Sequence, residues 1–107
     1  MTTDALEIAA AIDRAADKAA PLFAEHGWQW AGLSQGRRIP SKADIVQEFS
    51  RLVRCVRREK SDYWSCGRLT VCRFVYPDLA QERREGLTLA LETDGEVIPL
   101  ETICLKT

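Results

Sequence analysis

The chain has little of the chemistry on which most enzymes and metalloproteins depend. It contains one histidine, His26, and its four cysteines form no C-x-x-C pair and no zinc-finger spacing. The phosphate-binding patterns G-x-x-x-x-G-K and G-x-G-x-x-G and the nucleophile pattern G-x-S-x-G are also missing. These absences predict a non-enzymatic protein with no catalytic residue, no metal site and no cofactor.

Long apolar runs are missing as well. No stretch of eighteen apolar residues is present, and the N-terminus lacks the basic-then-apolar order of a signal peptide. We therefore expect a cytoplasmic protein without a membrane partner. Because that compartment disfavours disulfides, the cysteines are predicted to be small buried hydrophobic side chains, with a scattered four-thiolate metal site as the alternative. They are Cys55, Cys66, Cys72 and Cys104.

What is present suits one globular domain over residues 1–107, with 46% hydrophobic residues. The net charge of −1 conceals a division along the chain. Residues 37–73 carry ten bases and four acids, a net charge of +6. Residues 1–36 have a net charge of −3 and residues 74–107 one of −4, so both flanks are acidic. This division predicts either a bipolar surface or flanks that neutralise the middle.

The middle of the chain holds the clearest predicted helix, over residues 42–60. Ser41 is a suitable N-cap, and Asp44 completes a capping box. Apolar residues at three- and four-residue spacing define a buried stripe. The opposite face carries Arg51, Arg54 and Arg58. That basic face is either solvated or a ridge that binds phosphates or an acidic protein surface.

An alanine-rich helix is predicted over residues 4–26, where the alanines allow close packing and Pro21 is expected to kink the helix or begin a second one. The segment WQWAGLSQGRRIP that follows reads as a loop. Trp28 and Trp30 either cap a small core or, with Arg37 and Arg38, form a platform for bases or a protein.

Three strands are predicted at residues 68–76, 87–93 and 96–104. Asp94-Gly95 favours a two-residue type I′ turn, which places Leu91 opposite Ile98, Leu89 opposite Leu100 and Leu87 opposite Thr102. Residues 61–67 are read as a turn and residues 78–86 as a polar connection or helical turn. Pro99 predicts that the last strand lies at a sheet edge, which provides a route to a homodimer.

The resulting fold class is α+β, with two N-terminal helices packed on a small three-stranded antiparallel sheet in the order α-α-β-β-β. In its general texture the chain resembles short orphan proteins of bacteriophages and mobile elements. The alanine-rich first helix, the W-x-W segment, the capped second helix and the terminal sheet carry that resemblance. It implies a bacterial, phage-encoded protein with a role in host takeover, for example inhibition of a host defence nuclease by occupying its binding surface.

The sequence thus predicts a small intracellular binding module. Its partner is expected to be a nucleic acid or an acidic protein, with phage-borne inhibition of a host protein, or an assembly role, as the alternatives. The predicted binding residues are Arg51, Arg54, Arg58, Arg37, Arg38 and Trp30.

Overall fold

A computed structural model gives the architecture of the protein and describes residues 3–32 and 36–106. The elements are α1 (Thr3–His26), β1 (Trp30–Gly32), β2 (Gly36–Arg38), α2 (Lys42–Glu59), β3 (Tyr63–Cys66), β4 (Leu69–Pro77), β5 (Arg83–Thr93) and β6 (Glu96–Cys104). One antiparallel sheet has the strand order β3-β4-β5-β6, and β1 pairs with β2 in a separate two-stranded sheet. The molecule is an α+β fold.

The predicted three-stranded sheet is wrong, because β3 adds a fourth strand to it. Cys66 pairs with Leu69 across a two-residue turn in which Gly67 has a φ of +58°. Glycine adopts this backbone conformation without the steric cost that a Cβ imposes. Residues 61–67 were read as a turn because a four-residue strand is too short to show a period.

The segment read as a loop after the first helix also contains paired strands. Trp30 lies opposite Arg38, and Ala31 lies opposite Arg37. Residues 33–35 of that segment lie outside the described residues. Composition alone favoured a loop here, because the segment is rich in glycine and polar residues.

The β5–β6 hairpin follows the prediction only near its turn. Asp94 and Gly95 have positive φ angles of 35° and 96°, and Leu91 pairs with Ile98, as predicted. Beyond Pro99 a bulge shifts the register, so Leu89 faces Glu101 and Leu87 faces Ile103. The predicted pairs Leu89–Leu100 and Leu87–Thr102 are therefore wrong, since one extra residue on β6 offsets the ladder.

Strand β5 begins at Arg83, four residues before the predicted start at residue 87. Arg83 pairs with Pro77 at the far end of β4. The polar sequence RREG gave no apolar alternation, yet its backbone continues the ladder.

Both helices pack on one face of the four-stranded sheet, where α1 contacts β5 and β6 and α2 contacts β3 and β4. The core contains fully buried side chains from both layers, each of which contributes about 1.5–3 kcal/mol through burial. The largest of them are Phe23, Phe49, Ile45, Leu52, Leu69, Leu87, Leu89, Leu91, Leu105, Val56 and Val71. Ala11, Ala15, Ala16 and Ala19 are buried on α1 and let the two helices approach closely. Neither described helix combines the length and apolarity that a membrane crossing requires.

The predicted capping box at the start of α2 is confirmed. The backbone N–H of Asp44 donates to the Ser41 hydroxyl, and the Asp44 carboxylate accepts from the Ser41 N–H at 2.8 Å. The helix ends at Lys60, which adopts a left-handed conformation with φ of 51° and donates its backbone N–H to the Val56 carbonyl. These local contacts fix both ends of the element that carries the predicted basic face.

Three further expectations have different outcomes. The edge position of the last strand is confirmed, because among the described strands β6 pairs with β5 alone. The prediction of buried cysteines is confirmed for Cys55 alone, since Cys72 is half-buried and Cys66 and Cys104 are exposed. Helix α1 runs unbroken through Pro21 in place of beginning again there.

Candidate functional site

A groove of about 800 Å³ lies between α1 and the C-terminal half of α2. Its floor is apolar and comes from both helices, with Ala5, Ile8, Ala9, Ile12 and Val53. The groove is in the size range of protein ligand sites, which is about 300–1,000 Å³. It exists because the small alanines of α1 face the long side chains at the end of α2.

The rim of the groove on α2 is basic. It consists of Arg54, Arg57, Arg58 and Lys60. Arg54 and Lys60 are exposed and form no ion pair with any residue that the structure describes. Arg58 pairs with its neighbour Glu59 at 3.1 Å, but this contact is highly exposed and such pairs contribute little. The rim therefore presents cations beside an apolar floor.

Arg51 belongs to the same predicted face but is not part of the groove. Its guanidinium is paired with Glu48 one helical turn earlier, and this pair lowers the pKa of Glu48. Cys66 at the end of β3 lies beside the pair. The residue is exposed, but its thiol is partly desolvated there, and this raises the pKa of the thiol. Arg51 is thus largely neutralised within the protein.

Arg38 lies near the other end of α2, in β2. Both of its terminal guanidinium nitrogens donate to the Asp44 carboxylate, at 2.6 and 2.8 Å. This bidentate pair, with the Ser41 N–H, holds the pKa of Asp44 at about 2. Arg54, the first arginine of the groove rim, lies ten positions after Asp44 on α2, about 15 Å along the helix at 1.5 Å per residue. Arg38 thus reinforces the helix cap and does not line the groove.

The remaining two predicted residues also lie away from the groove. Arg37 is exposed on β2. Trp30 is half-buried and packs against the core, with its ring centroid 6.2 Å from that of Phe23. Trp28 packs on Phe23 as well, and the Arg68 guanidinium lies 3.9 Å from its ring centroid. Both indoles therefore cap the core, and of the predicted site only Arg54 and Arg58 line the groove.

Glu85, on β5, links Arg57 of the groove rim to Arg73 of β4. Its carboxylate accepts a hydrogen bond from Arg57 Nε at 2.8 Å and another from Arg73 Nε at 2.6 Å. A second cavity of about 480 Å³ begins at this carboxylate. Its lining is Arg73, Val75, Arg83, Arg84 and Glu85. Arg83, Arg84 and Glu85 belong to the early start of β5, so this part of the strand supplies most of the lining.

Sequence reasoning missed most of this surface. Arg57 and Lys60 are not among the predicted binding residues, and Glu85 lies in the segment that was read as a polar connection or helical turn. The one available signal was the pair Ala5 and Ala9, which are four residues apart and fall beside the apolar stripe of α1. No local pattern indicates that this pair faces the basic end of α2.

The described residues contain no group of three or more histidine, cysteine or carboxylate side chains arranged to hold a metal ion. Comparison with models of known families, with curated proteins and with solved structures finds no match to this chain. The groove and its charges are therefore the features from which a function can be inferred.

Proposed function

We propose that the protein is a binding module whose groove between α1 and α2 receives an acidic, amphipathic segment of a partner protein. The observation that carries this proposal is the juxtaposition of an apolar floor with a basic rim in one groove. An amphipathic helix with apolar residues at i, i+3, i+4 and i+7 and acidic flanks complements both features. Its apolar stripe contacts the alanines of α1, and its carboxylates face α2.

Charge complementarity makes the rim the source of selectivity. Arg54 and Lys60 have no intramolecular ion pair to break within the described chain, so a partner carboxylate gains their attraction without that cost. Contacts of this kind at the edge of an interface accelerate association and exclude basic partners. The apolar floor supplies the desolvated contacts that hold the segment.

A nucleic acid fits this groove less well than an acidic protein segment. Phosphates would contact the rim, but the alanine and isoleucine floor would lie against a charged, hydrated backbone. The tryptophans that would stack on bases are instead packed on the core beside Phe23. For these reasons the acidic protein is the better supported of the two predicted partners.

The proposed binding can be tested with a designed peptide. A labelled helix of about 15 residues, with a leucine stripe flanked by glutamates, is titrated with protein in fluorescence anisotropy. We expect saturable binding that a scrambled peptide of the same composition does not reproduce. Labelled single- and double-stranded DNA and RNA are measured in parallel, at low and physiological salt. Tight, salt-sensitive nucleic-acid binding without peptide binding would overturn the proposal.

Arg54→Glu is the variant that locates the binding, and Arg37→Glu is its matched control. Both arginines are exposed, and neither forms an ion pair with a residue in the described ranges. We expect Arg54→Glu to weaken peptide binding about tenfold or more, and Arg37→Glu to have an effect under about threefold. Equal effects would indicate attraction to net charge and would remove the groove from the proposal. Circular dichroism and thermal melting establish that both variants are folded.

The resemblance to phage and mobile-element proteins suggests one biological setting for such a module. An inhibitor that occupies an acidic surface of a host protein would use an apolar groove with a basic rim. A defined test is to add the purified protein to a candidate defence nuclease and measure cleavage with wild type and Arg54→Glu. Inhibition that Arg54→Glu retains in full would separate any such role from the groove.

A further inference from the structure

The contact between Glu85 and its two arginines leaves an unusual set of donors open. Arg57 and Arg73 each use only the Nε–H in their bonds to the carboxylate, at 2.8 and 2.6 Å. Neither Nη group of either guanidinium donates to another described residue. The side chains are 38% and 21% exposed, so both keep surface that solvent reaches. Glu85 thus holds two guanidiniums on one carboxylate, while their Nη groups have no hydrogen-bond partner among the described residues.

The position of this Arg57–Glu85–Arg73 triad is as important as its geometry. Glu85 lines both the groove and the second cavity, so the triad lies where the two meet. Arg83 also lines the second cavity and forms no ion pair within the described residues, whereas Arg84 is engaged by Asp78 and Glu82. A segment that fills the groove therefore passes, at one end, a cluster with surplus positive charge.

We propose that Arg57 and Arg73, positioned by Glu85, form an oxyanion site for a phosphomonoester group carried by the segment that occupies the groove. The inference depends on the proposed function, since it names a feature of the same partner. The groove binds the apolar face of the segment, and the triad binds a phosphorylated side chain near one end of that segment.

A phosphomonoester suits the triad better than a carboxylate. Each guanidinium presents planar, paired N–H donors that match two oxygens of one oxyanion. A carboxylate has two oxygens and satisfies one such donor pair, whereas a phosphomonoester has three acceptor oxygens and a charge of about −1.5 to −2. Two fixed guanidiniums with one carboxylate have a net charge of +1, and Arg83 adds to it. The site is therefore matched to a dianion.

The first experiment compares the acidic amphipathic peptide with versions that carry phosphoserine near either the N-terminus or the C-terminus. We expect one of the two phosphopeptides to bind about tenfold more tightly than the same peptide with unmodified serine. No gain for either phosphopeptide would overturn the oxyanion site while leaving the groove proposal intact. Failure of every peptide to bind would instead count against the groove.

Arg73→Lys tests whether the guanidinium geometry, and not charge alone, produces the gain. Lysine keeps the positive charge and loses the planar donor pair, so the affinity ratio of phosphopeptide to peptide should fall close to one. The matched control is Arg14→Lys. Arg14 donates its Nε–H to Glu101, which also binds Lys18, so it occupies a similar bridged cluster elsewhere. A ratio that falls equally in both variants would overturn the assignment.

A second measurement does not depend on the groove. Inorganic phosphate is titrated into the ¹⁵N-labelled protein at constant ionic strength, with chloride as the reference, while the arginine Nε–Hε resonances are followed by NMR. We expect saturable shifts at both Arg57 and Arg73 in the wild type, and we expect Arg73→Lys to weaken or remove the shift at Arg57. Absence of these shifts, or equal shifts at Arg14 and Arg37, would overturn the site.

Discussion

The two ends of α2 carry the same kind of residue in opposite states. At the N-terminal end, Arg38 donates hydrogen bonds from both terminal nitrogens to the Asp44 carboxylate, which also accepts one from the Ser41 N–H. At the C-terminal end, Arg54 and Lys60 have no ion pair within the described chain. At one end the charge stabilises the fold, and at the other it stays exposed without an ion pair in the described chain.

This difference shows why a basic composition is a poor guide to a basic binding site. The middle of the sequence holds ten bases, but several are neutralised by acids that lie close in space. Glu48 neutralises Arg51 from one turn away on the same helix, whereas Glu85 reaches Arg57 from strand β5. The useful quantity is the number of cations left without a partner, and this depends on tertiary structure.

The largest expected effect is on stability at the N-terminal end of α2, where Arg38 pairs with Asp44. Asp44→Asn removes a bidentate ion pair and one half of the capping box, and should lower the free energy of unfolding by about 2 kcal/mol. Arg54→Ala, at the C-terminal end of the same helix, should change the free energy of unfolding by less than about 0.5 kcal/mol. Urea denaturation followed by circular dichroism measures both. Equal losses would mean that the two ends do not differ in this way.

The second effect is the pH dependence of the stability that the Arg38–Asp44 pair contributes. Hydrogen bonds from Arg38 and Ser41 lower the pKa of Asp44 from 3.8 to about 2. Because the folded protein holds the ionised form, this stabilisation is complete above about pH 4 and is lost as the pH falls towards 2. The stability difference between wild type and Asp44→Asn should therefore shrink by about 1 kcal/mol over that range, allowing for solvent screening. A difference that stays constant would contradict the assignment.

The smallest effect separates two arginines on one helical face. Arg54→Ala should weaken binding of the acidic peptide about three- to fivefold, because its charge is available to the ligand. Arg51→Ala should change it less than about twofold, because Glu48 already neutralises that guanidinium and it lies outside the groove. Anisotropy titrations of both variants provide the comparison. A larger loss for Arg51 would move the binding face towards β3.

The parts of the fold that were predictable depend on local signals. Ser41 and Asp44 define the start of α2 within four residues, and Asp94 with Gly95 define one turn. The bulge beyond Pro99 and the short β3 have no such signal, because each depends on pairing with a neighbouring strand. Periodicity therefore identified both helices and three strands of the sheet but missed the fourth strand.

The candidate site was less predictable, for the same reason. Arg54 and Arg58 were recognised from their helical spacing, which is a local property. The apolar floor depends on how α1 crosses α2, and the Glu85 bridge joins residues 28 positions apart. Trp30 and Arg38 were assigned to a binding surface because a sequence does not reveal that one packs on Phe23 and the other pairs with Asp44.

The bulge in β6 has a consequence for the protein at high concentration. An exposed edge strand is a template on which other chains can add, and this is a common route to fibrillar aggregation. Pro99 has no N–H to offer an added strand, and the extra residue that follows it breaks the spacing of the remaining donors. A second copy therefore finds only short stretches of usable edge on either side of Pro99. The bulge that shifts the hairpin register therefore also limits strand addition at the β6 edge of the sheet.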